Sequence, residues 1–195
     1  MNRVTLQLGL PDHLRADAAQ LYWRAFGSKL GAVLGPEPRA MRFLSRVIRA
    51  DQVITAVGPA GQLLGIAGFK TPRGGFASGR AGDLRAIYGP FGAWWRKSLL
   101  GWLSDAADNE RFLLDGLCVD GPSQGQGLGG ALLNAICAEA RLRGFPAVRL
   151  DVVESNLRAI ALYHRLGFEV TNRQNIGLLR LVFGFSCALT MVRQV

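Results

Sequence analysis

Histidine is almost missing from this 195-residue chain: His13 and His164 stand far apart, and no His/Cys spacing suits a metal. The three cysteines, Cys118, Cys137 and Cys187, are odd in number and scattered through apolar runs. That usage argues against a disulfide framework and for buried thiols in a reducing, cytoplasmic compartment. No apolar run reaches the roughly 18 residues of a membrane span. The best, Leu181 to Val192, is interrupted by Ser186 and Thr190. The start of the chain lacks the basic and apolar stretches of a secretion signal. Acids are scarce in the first half: residues 1–100 hold 14 Lys and Arg against 5 Asp and Glu, whereas residues 101–195 hold 9 of each. The whole net charge of +9 therefore lies in the first half.

What is present is apolar and ordered. Hydrophobic residues make up 49% and charged residues 19%, which suits a globular chain with one sizeable core. We read residues 1–195 as a single domain, with no linker and no internal repeat.

The organising stretch is Gln124-Gly125-Gln126-Gly127-Leu128-Gly129-Gly130. A strand-like run from Leu113 to Val119 precedes it, and a helix-like run from Ala131 to Ala138 follows. Glycines between a strand and a helix let the backbone approach a ligand closely. The first N–H groups of the helix have no partner of their own, and the helix dipole favours an anion there. A phosphate-bearing ligand is therefore expected. A P-loop would need Lys-Ser/Thr after the last glycine, but Ala131 and Leu132 stand there. Gly125-x-Gly127-x-x-Gly130 also fits a dinucleotide fingerprint, with Asp151 as the ribose acid. Against it, Asp120 to Gln124 separate strand from glycine, and too few residues follow Asp151 for further strand–helix units.

Along the chain, Val4–Leu8 reads as a strand. A helix runs from Pro11-Asp12 to about Leu30, with Leu14, Ala18, Leu21, Tyr22, Ala25 and Phe26 on one face. Gly31 to Pro38 is a break. A second helix carries Arg39, Arg42, Arg46 and Arg49 opposite Met41, Leu44, Val47 and Ile48, either a solvated face or a surface for an anionic partner. Gln52–Val57 and Leu63–Lys70 form a hairpin. Thr71–Gly82 reads as a mobile loop. Asp83–Ser104, with Tyr88, Trp94, Trp95 and Trp102, is partly helical, and Trp94 and Trp95 line a pocket or form a homodimer contact. A helix from Gly127 ends near Gly144. A strand over Ala147–Val153 leads to Asn156, an N-cap for a helix through about Leu166. Strands over Phe168–Thr171 and Leu181–Arg193 close the sheet.

Two segments in this order resemble the GNAT superfamily of acyl-CoA-dependent N-acyltransferases. Gln124-x-x-Gly127-x-Gly129 is similar to its Q/R-x-x-G-x-G/A loop. Asn156-Leu157-Arg158-Ala159-Ile160-Ala161-Leu162-Tyr163-His164-Arg165-Leu166-Gly167-Phe168 is similar to its N-x-x-A-x-x-L-Y-x-x-x-G-F segment. The resemblance is closest over residues 111–170, and residues 71–105 have no assigned counterpart.

The resemblance implies an α/β (α+β) fold: a mixed, mostly antiparallel seven-stranded sheet flanked by helices, with splayed fourth and fifth strands. Residues 1–105 would form the acceptor side and residues 106–195 the CoA-binding half. Acetyl-CoA would be the acyl donor, with no metal. Leu117, Cys118 and Val119 would meet the pantetheine arm and thioester. Gln124, Gly125, Gln126, Gly127, Leu128, Gly129 and Gly130 would hold the pyrophosphate. Asn156 would contact pantetheine or cap its helix. Tyr163 would face the thioester sulfur and protonate the departing thiolate.

Transfer to an amine also needs a neutral amine, although alkyl amines have a pKa near ~10. Asp115, which has the strand parity of Leu117 and Val119, is the candidate base; Glu110, Asp151 and Glu154 are reserves, and ordered water is a further route. Val119 or Cys118 would supply an N–H to the oxyanion. An acyl-cysteine at Cys118 lacks an adjacent histidine to activate it.

The expected reaction is direct acetyl transfer from acetyl-CoA to a primary amine. The acceptor, small or macromolecular, would lie against the first two helices and the segment from Tyr88 to Trp95. A basic first half suits an anionic acceptor, with Arg42 and Arg46 as its contacts, and nucleic acid stays open as a partner. The alternatives are a non-catalytic acyl-CoA-binding module and an NAD(P)-dependent oxidoreductase.

Overall fold

Val53–Val57 (β2) and Leu63–Thr71 (β3) pair in antiparallel fashion across a turn at Gly58–Gln62, where Gly61 takes the left-handed φ of 80° that favours glycine. The computed structural model describes residues 4–104, 111–177 and 180–195, with 101–104 described by their backbone alone. Glu110 and the Trp102 side chain lie outside the described residues. Thr5–Leu8 (β1) adds to the free edge of β2.

On the other side of β3 come Phe112–Val119 (β5), Ala147–Val153 (β6), Cys187–Gln194 (β8) and Glu169–Asn175 (β7). The order is β1-β2-β3-β5-β6-β8-β7, with the two-residue strand Gly74–Gly75 (β4) paired to β3. The sheet has 8 strands rather than seven, because β4 is counted. Every described pairing is antiparallel except β5–β6. The splayed pair expected as the fourth and fifth strands is therefore β5 and β6.

The helices cover both faces. Arg15–Leu34 (α1), Glu37–Val47 (α2) and Ala81–Ser104 (α3) bury Ala18, Leu21, Val33, Phe43, Leu44 and Leu84 on one face. Leu128–Leu142 (α4) and Leu157–Arg165 (α5) cover the other, where Leu132, Leu133 and Ile136 are fully buried. Removing such side chains from water contributes ~25 cal/mol per Å² of apolar area.

Several boundaries differ from expectation. The break after α1 is short: the helix continues past Gly31 to Leu34 and ends at Gly35, so tertiary packing of Val33 and Leu34 overrides the glycine signal. Ala25 is exposed, while Leu14, Ala18, Leu21 and Tyr22 are buried. The segment expected as a mobile loop is anchored by β4 and by Phe76, which is fully buried. Gly68 is required there, since a Cβ would stand 2.7 Å from the Phe76 ring. α3 carries Pro90 because Gly89 leaves helical geometry at φ 72°. β7 extends to Asn175. The apolar run expected as the start of the last strand instead forms a short helix, Arg180–Phe183 (α6), whose Phe183 is buried in the cluster that contains α1.

Candidate active site

β5 and β6 pair only from Phe112 opposite Val148 to Leu114 opposite Leu150. Both strands continue, but no further rungs join them, so a gap opens in the sheet. A β-bulge creates the divergence: Phe69 of β3 faces Leu114, Gly68 faces Gly116, and Asp115 is the extra residue.

The bulge also resets which face each side chain takes. Leu114 packs on the α4 side, and so do Leu117 and Val119, whereas Cys118 joins the α1 side. Asp115 thus does not share a simple alternation with Leu117 and Val119. Beyond the bulge, the Asp120 N–H donates to the Leu64 carbonyl at 2.9 Å. Alternation along an antiparallel ladder then turns the N–H groups of Leu117 and Val119 toward the gap and that of Cys118 toward β3.

A cavity of about 860 Å³ fills the gap. Leu117, Val119, Gln124, Gly125, Gly127, Leu128, Gly129, Gly130, Asn156, Tyr163 and Asp115 all line it. Cys118 and Gln126 do not. Cys118 is buried in the core, where desolvation raises its thiol well above the usual value, so it is a poor nucleophile. Gln126 is exposed and donates from Nε2 to the Pro122 carbonyl at 2.9 Å, bracing the turn.

The glycine loop has the geometry of an anion cradle. Gly125 and Gly127 both have φ of 81°, and a Cβ at either would meet nothing within 4 Å. Their need for glycine is thus one of backbone conformation. Gly127 is the N-cap of α4, so the unpartnered N–H groups of the first turn open onto the cavity. Gln124 fixes the loop from both sides: its Nε2 donates to the Val119 carbonyl at 3.0 Å, and its Oε1 accepts from Arg158 Nη1 at 3.0 Å. Arg158, two positions after Asn156, is a site residue that the motif pattern leaves unspecified. It adds a cation beside the cradle.

Asn156 caps α5, its Oδ1 accepting from the Ala159 N–H at 3.3 Å. That cap orients the helix presenting Tyr163 to the gap. Tyr163 is 8% exposed, and burial pushes its phenol up to about 12. It stays protonated at neutral pH.

On the α1 face, Asp115 is half-buried and Oδ2 accepts from the Ala77 N–H at 3.3 Å. Burial raises its carboxyl above the usual range, against the opposing pull of the Ala77 and Phe76 N–H groups and Lys70. Tyr22 is raised well above the usual phenol value, first by burial and then by the neighbouring Asp115 carboxylate.

The two described reserve acids are each held in an ion pair. Asp151 lines the cavity, accepts from Thr190 Oγ1 at 2.6 Å and pairs with Arg149 at 3.1 Å. Glu154 pairs with Arg173 at 2.8 Å. Asp151 is thus tied across to an antiparallel β8, which is not the setting of a dinucleotide ribose acid.

The expected acceptor wall is only partly formed. α1 contributes Tyr22, Phe26, Lys29 and Leu30 to the cavity. Tyr88, Trp94 and Trp95 do not line it; the Tyr88 hydroxyl donates to the Leu34 carbonyl and braces α1 instead. Trp94 is 71% exposed and Trp95 packs under the Arg96 guanidinium. Arg42 and Arg46 also lie off the cavity, and Arg46 pairs with Asp83 at 2.8 Å. Ile176, Phe183 and Phe185, between β7 and β8, were missed as wall residues. For Phe183 and Phe185 the one signal was the apolar run from Leu181, which suits strand and helix alike; Ile176 stands outside it.

Comparison with known proteins agrees with this geometry. The Acetyltransferase (GNAT) family matches residues 18–168. The [ribosomal protein bS18]-alanine N-acetyltransferase of Escherichia coli K12 is 48% identical over 60 residues, 30% of this chain and 40% of that protein. The match thus spans less than half the length of that relative. The crystal structure of the ribosomal-protein-S18-alanine N-acetyltransferase from Escherichia coli is 18% identical, covering 100% of this chain and 94% of that one, with a TM-score of 0.56. A GCN5-related N-acetyltransferase from Kribbella flavida is 17% identical over 98% of each chain, with a TM-score of 0.62. The two structures establish likeness of fold. With a family match over most of its length, bearing on both the glycine cradle and the Tyr163 helix, the chain belongs to the GNAT acetyltransferase family.

Proposed function

We propose that this protein is an acetyl-CoA-dependent N-acetyltransferase acting on a primary amine. The observation that carries the reading is the end of β5–β6 pairing at Leu114–Leu150, with the glycine cradle and Tyr163 both facing the gap.

The residues present fit acetyl-CoA, which brings an activated acyl group as a thioester. The N–H groups from Gly125 to Gly130 and the Arg158 cation suit a pyrophosphate. The Leu117 and Val119 strand edge offers N–H donors along the gap. A gap-facing N–H is in place before reaction, so it costs no reorganisation when negative charge develops on the acyl oxygen.

Tyr163 is protonated at Oη at neutral pH, its raised pKa ensuring this without making it a stronger acid, and it would pass that proton to the thiolate as the C–S bond breaks. Asp115 lies at the bulge, where the cavity reaches the α1 face, and serves as the acceptor for the amine's proton. Its raised pKa brings it closer to that of a useful base. Asp151, held by Arg149 and Thr190, borders the same space.

The first experiment is a thermal shift with acetyl-CoA, CoA, NAD and NADP side by side, followed by thiol release with amines. Ligand at 100 times Kd adds about 2.7 kcal/mol. At roughly 2–4 °C per kcal/mol, a shift of about 5–11 °C is expected with acetyl-CoA or CoA alone. A shift confined to a dinucleotide would overturn the reading. Acetyl-CoA binding without Tyr163-dependent turnover of any amine would make the protein an acyl-CoA-binding module.

A further inference from the structure

The cavity continues beyond the strand gap onto the α1 face, and its walls there differ from those around the glycine cradle. One wall is α1, through Tyr22, Phe26 and Leu30. The other is the connection between β7 and β8, through Ile176, Phe183 and Phe185. The two walls touch: Ile176 and Phe183 are buried in the same cluster as Leu14, Ala18, Leu21 and Tyr22, and Phe26 and Phe185 pack against it. The Tyr22 and Phe26 rings lie 4.7 Å apart. The result is a half-open chamber with aromatic walls. Asp115, Asp151 and Thr190 line the same cavity, and the Thr190 hydroxyl donates to Asp151.

The cations in the chamber restrict what can enter. Lys29 lies in its wall with Nζ 5.9 Å from the centre of the Phe26 ring, and Arg149 borders Asp151. A second ammonium on the acceptor would meet Lys29 at short range in a partly desolvated space, where like charges repel strongly. An apolar body would replace water against the partly exposed Phe26, Leu30 and Phe185, which Tyr22, Ile176 and Phe183 back from the core.

We infer that the acceptor is a small monoamine with an aromatic or similarly apolar body, its amine directed at Asp115 and Asp151 and its body held between Phe26 and Phe185. The inference rests on the acetyltransferase reading and names the substrate class of that same site. It departs from an anionic acceptor held by Arg42 and Arg46, since neither residue borders the chamber.

The test is thiol release from acetyl-CoA with 2-phenylethylamine, tryptamine, spermidine and a short peptide with a free N-terminal alanine. The aromatic monoamines should show kcat/KM at least about tenfold above spermidine and the peptide, a difference of ~1.4 kcal/mol. Phe26 is only partly buried, so Phe26→Ala should fold; it should raise the KM for tryptamine about tenfold or more and leave the Kd for CoA unchanged. Lys29→Glu should move the preference toward spermidine. Preference for spermidine or the peptide, or an unchanged tryptamine KM in Phe26→Ala, would overturn this inference and leave the acetyltransferase reading standing. Acetyl-CoA binding with no amine turned over would sink both.

Discussion

Leu114 and Leu150 form the last rung between β5 and β6, and the bulge at Asp115 follows immediately on one strand. The end of pairing and the change of face are thus one event. It turns the Leu117 and Val119 edge into the gap and puts Asp115 on the α1 face. Donor and acceptor can approach the same point from opposite sides of one sheet.

Tyr163→Phe removes the proposed proton source and little else. The ring stays in its pocket beside Phe168, 6.1 Å away between ring centres. kcat should fall by about 10²- to 10⁴-fold, the usual weight of a positioned general acid. The Kd for CoA should hold within a factor of about two, a loss too small to count as a lost contact. With the phenol raised to about 12, no titration of Tyr163 should appear in the wild-type pH–rate profile between pH 6 and 9. Wild-type kcat in the phenylalanine variant would remove the acid role.

Gly127→Ala tests backbone conformation alone. The position has φ of 81° and open space where a Cβ would be. An L residue held there costs roughly 1–2 kcal/mol. If the loop shifts to relieve the strain, CoA binding should weaken by a factor of about 5–30, read by calorimetry. Full CoA affinity together with an unchanged Tm would mean that the cradle does not depend on this geometry.

The parts of the site that lie close together in sequence were legible there. Gln124, Gly125, Gly127 to Gly130, the Asn156 cap and Tyr163 are fixed by local turn and helix chemistry and line one cavity, while Gln126 turns away from it. The bulge was not legible, because an extra residue in β5 is defined only by the register of β3. Strict alternation therefore put Asp115 and Leu117 on one face. The chamber wall was missed for a related reason. Leu181 to Phe185 is apolar without a clear period, and its burial against α1 is a tertiary choice. Arg42 and Arg46 were read correctly as a helix face, but sequence alone does not tell which way such a face points.

Asn156→Ala should separate stability from chemistry. Loss of an N-cap typically costs ~0.5–2 kcal/mol, or about 2–4 °C of Tm per kcal/mol at this size. Because α5 presents Tyr163, kcat should fall along with Tm. Asn156→Asp or Asn156→Ser, which also cap well, should restore both. Restoration of Tm without kcat would instead make the Asn156 amide a direct contact to the acyl donor.

Cys118→Ala should retain most of the activity, because the thiol points into the core and burial keeps it protonated. The substitution leaves a small cavity, so some loss of Tm is expected. Steady-state kinetics of the wild type should show intersecting rather than parallel lines, as direct transfer requires. Parallel lines with an acetylated Cys118 in mass spectrometry would reinstate a covalent route.

Asp115→Asn distinguishes a proposed base from a purely structural carboxylate. Asparagine keeps an oxygen to accept the Ala77 N–H, so the loop at Gly75 to Ser78 should stay in place. Burial raises the folded-state pKa of Asp115 above its unfolded value near ~3.9. The folded protein then binds this proton more tightly than the unfolded chain does. Stability is therefore lost as pH rises from about 3.9 through the raised folded value, and the penalty is complete above it. The variant should match the wild type in Tm near pH 3.5 and exceed it at pH 7, while its kcat/KM falls and loses the acidic limb due to Asp115. A variant less stable than the wild type at pH 7 would mean that the ionised carboxylate is held favourably, as by Lys70. Wild-type kcat/KM in Asp115→Asn, with the limb lost in Asp151→Asn, would move the base to Asp151.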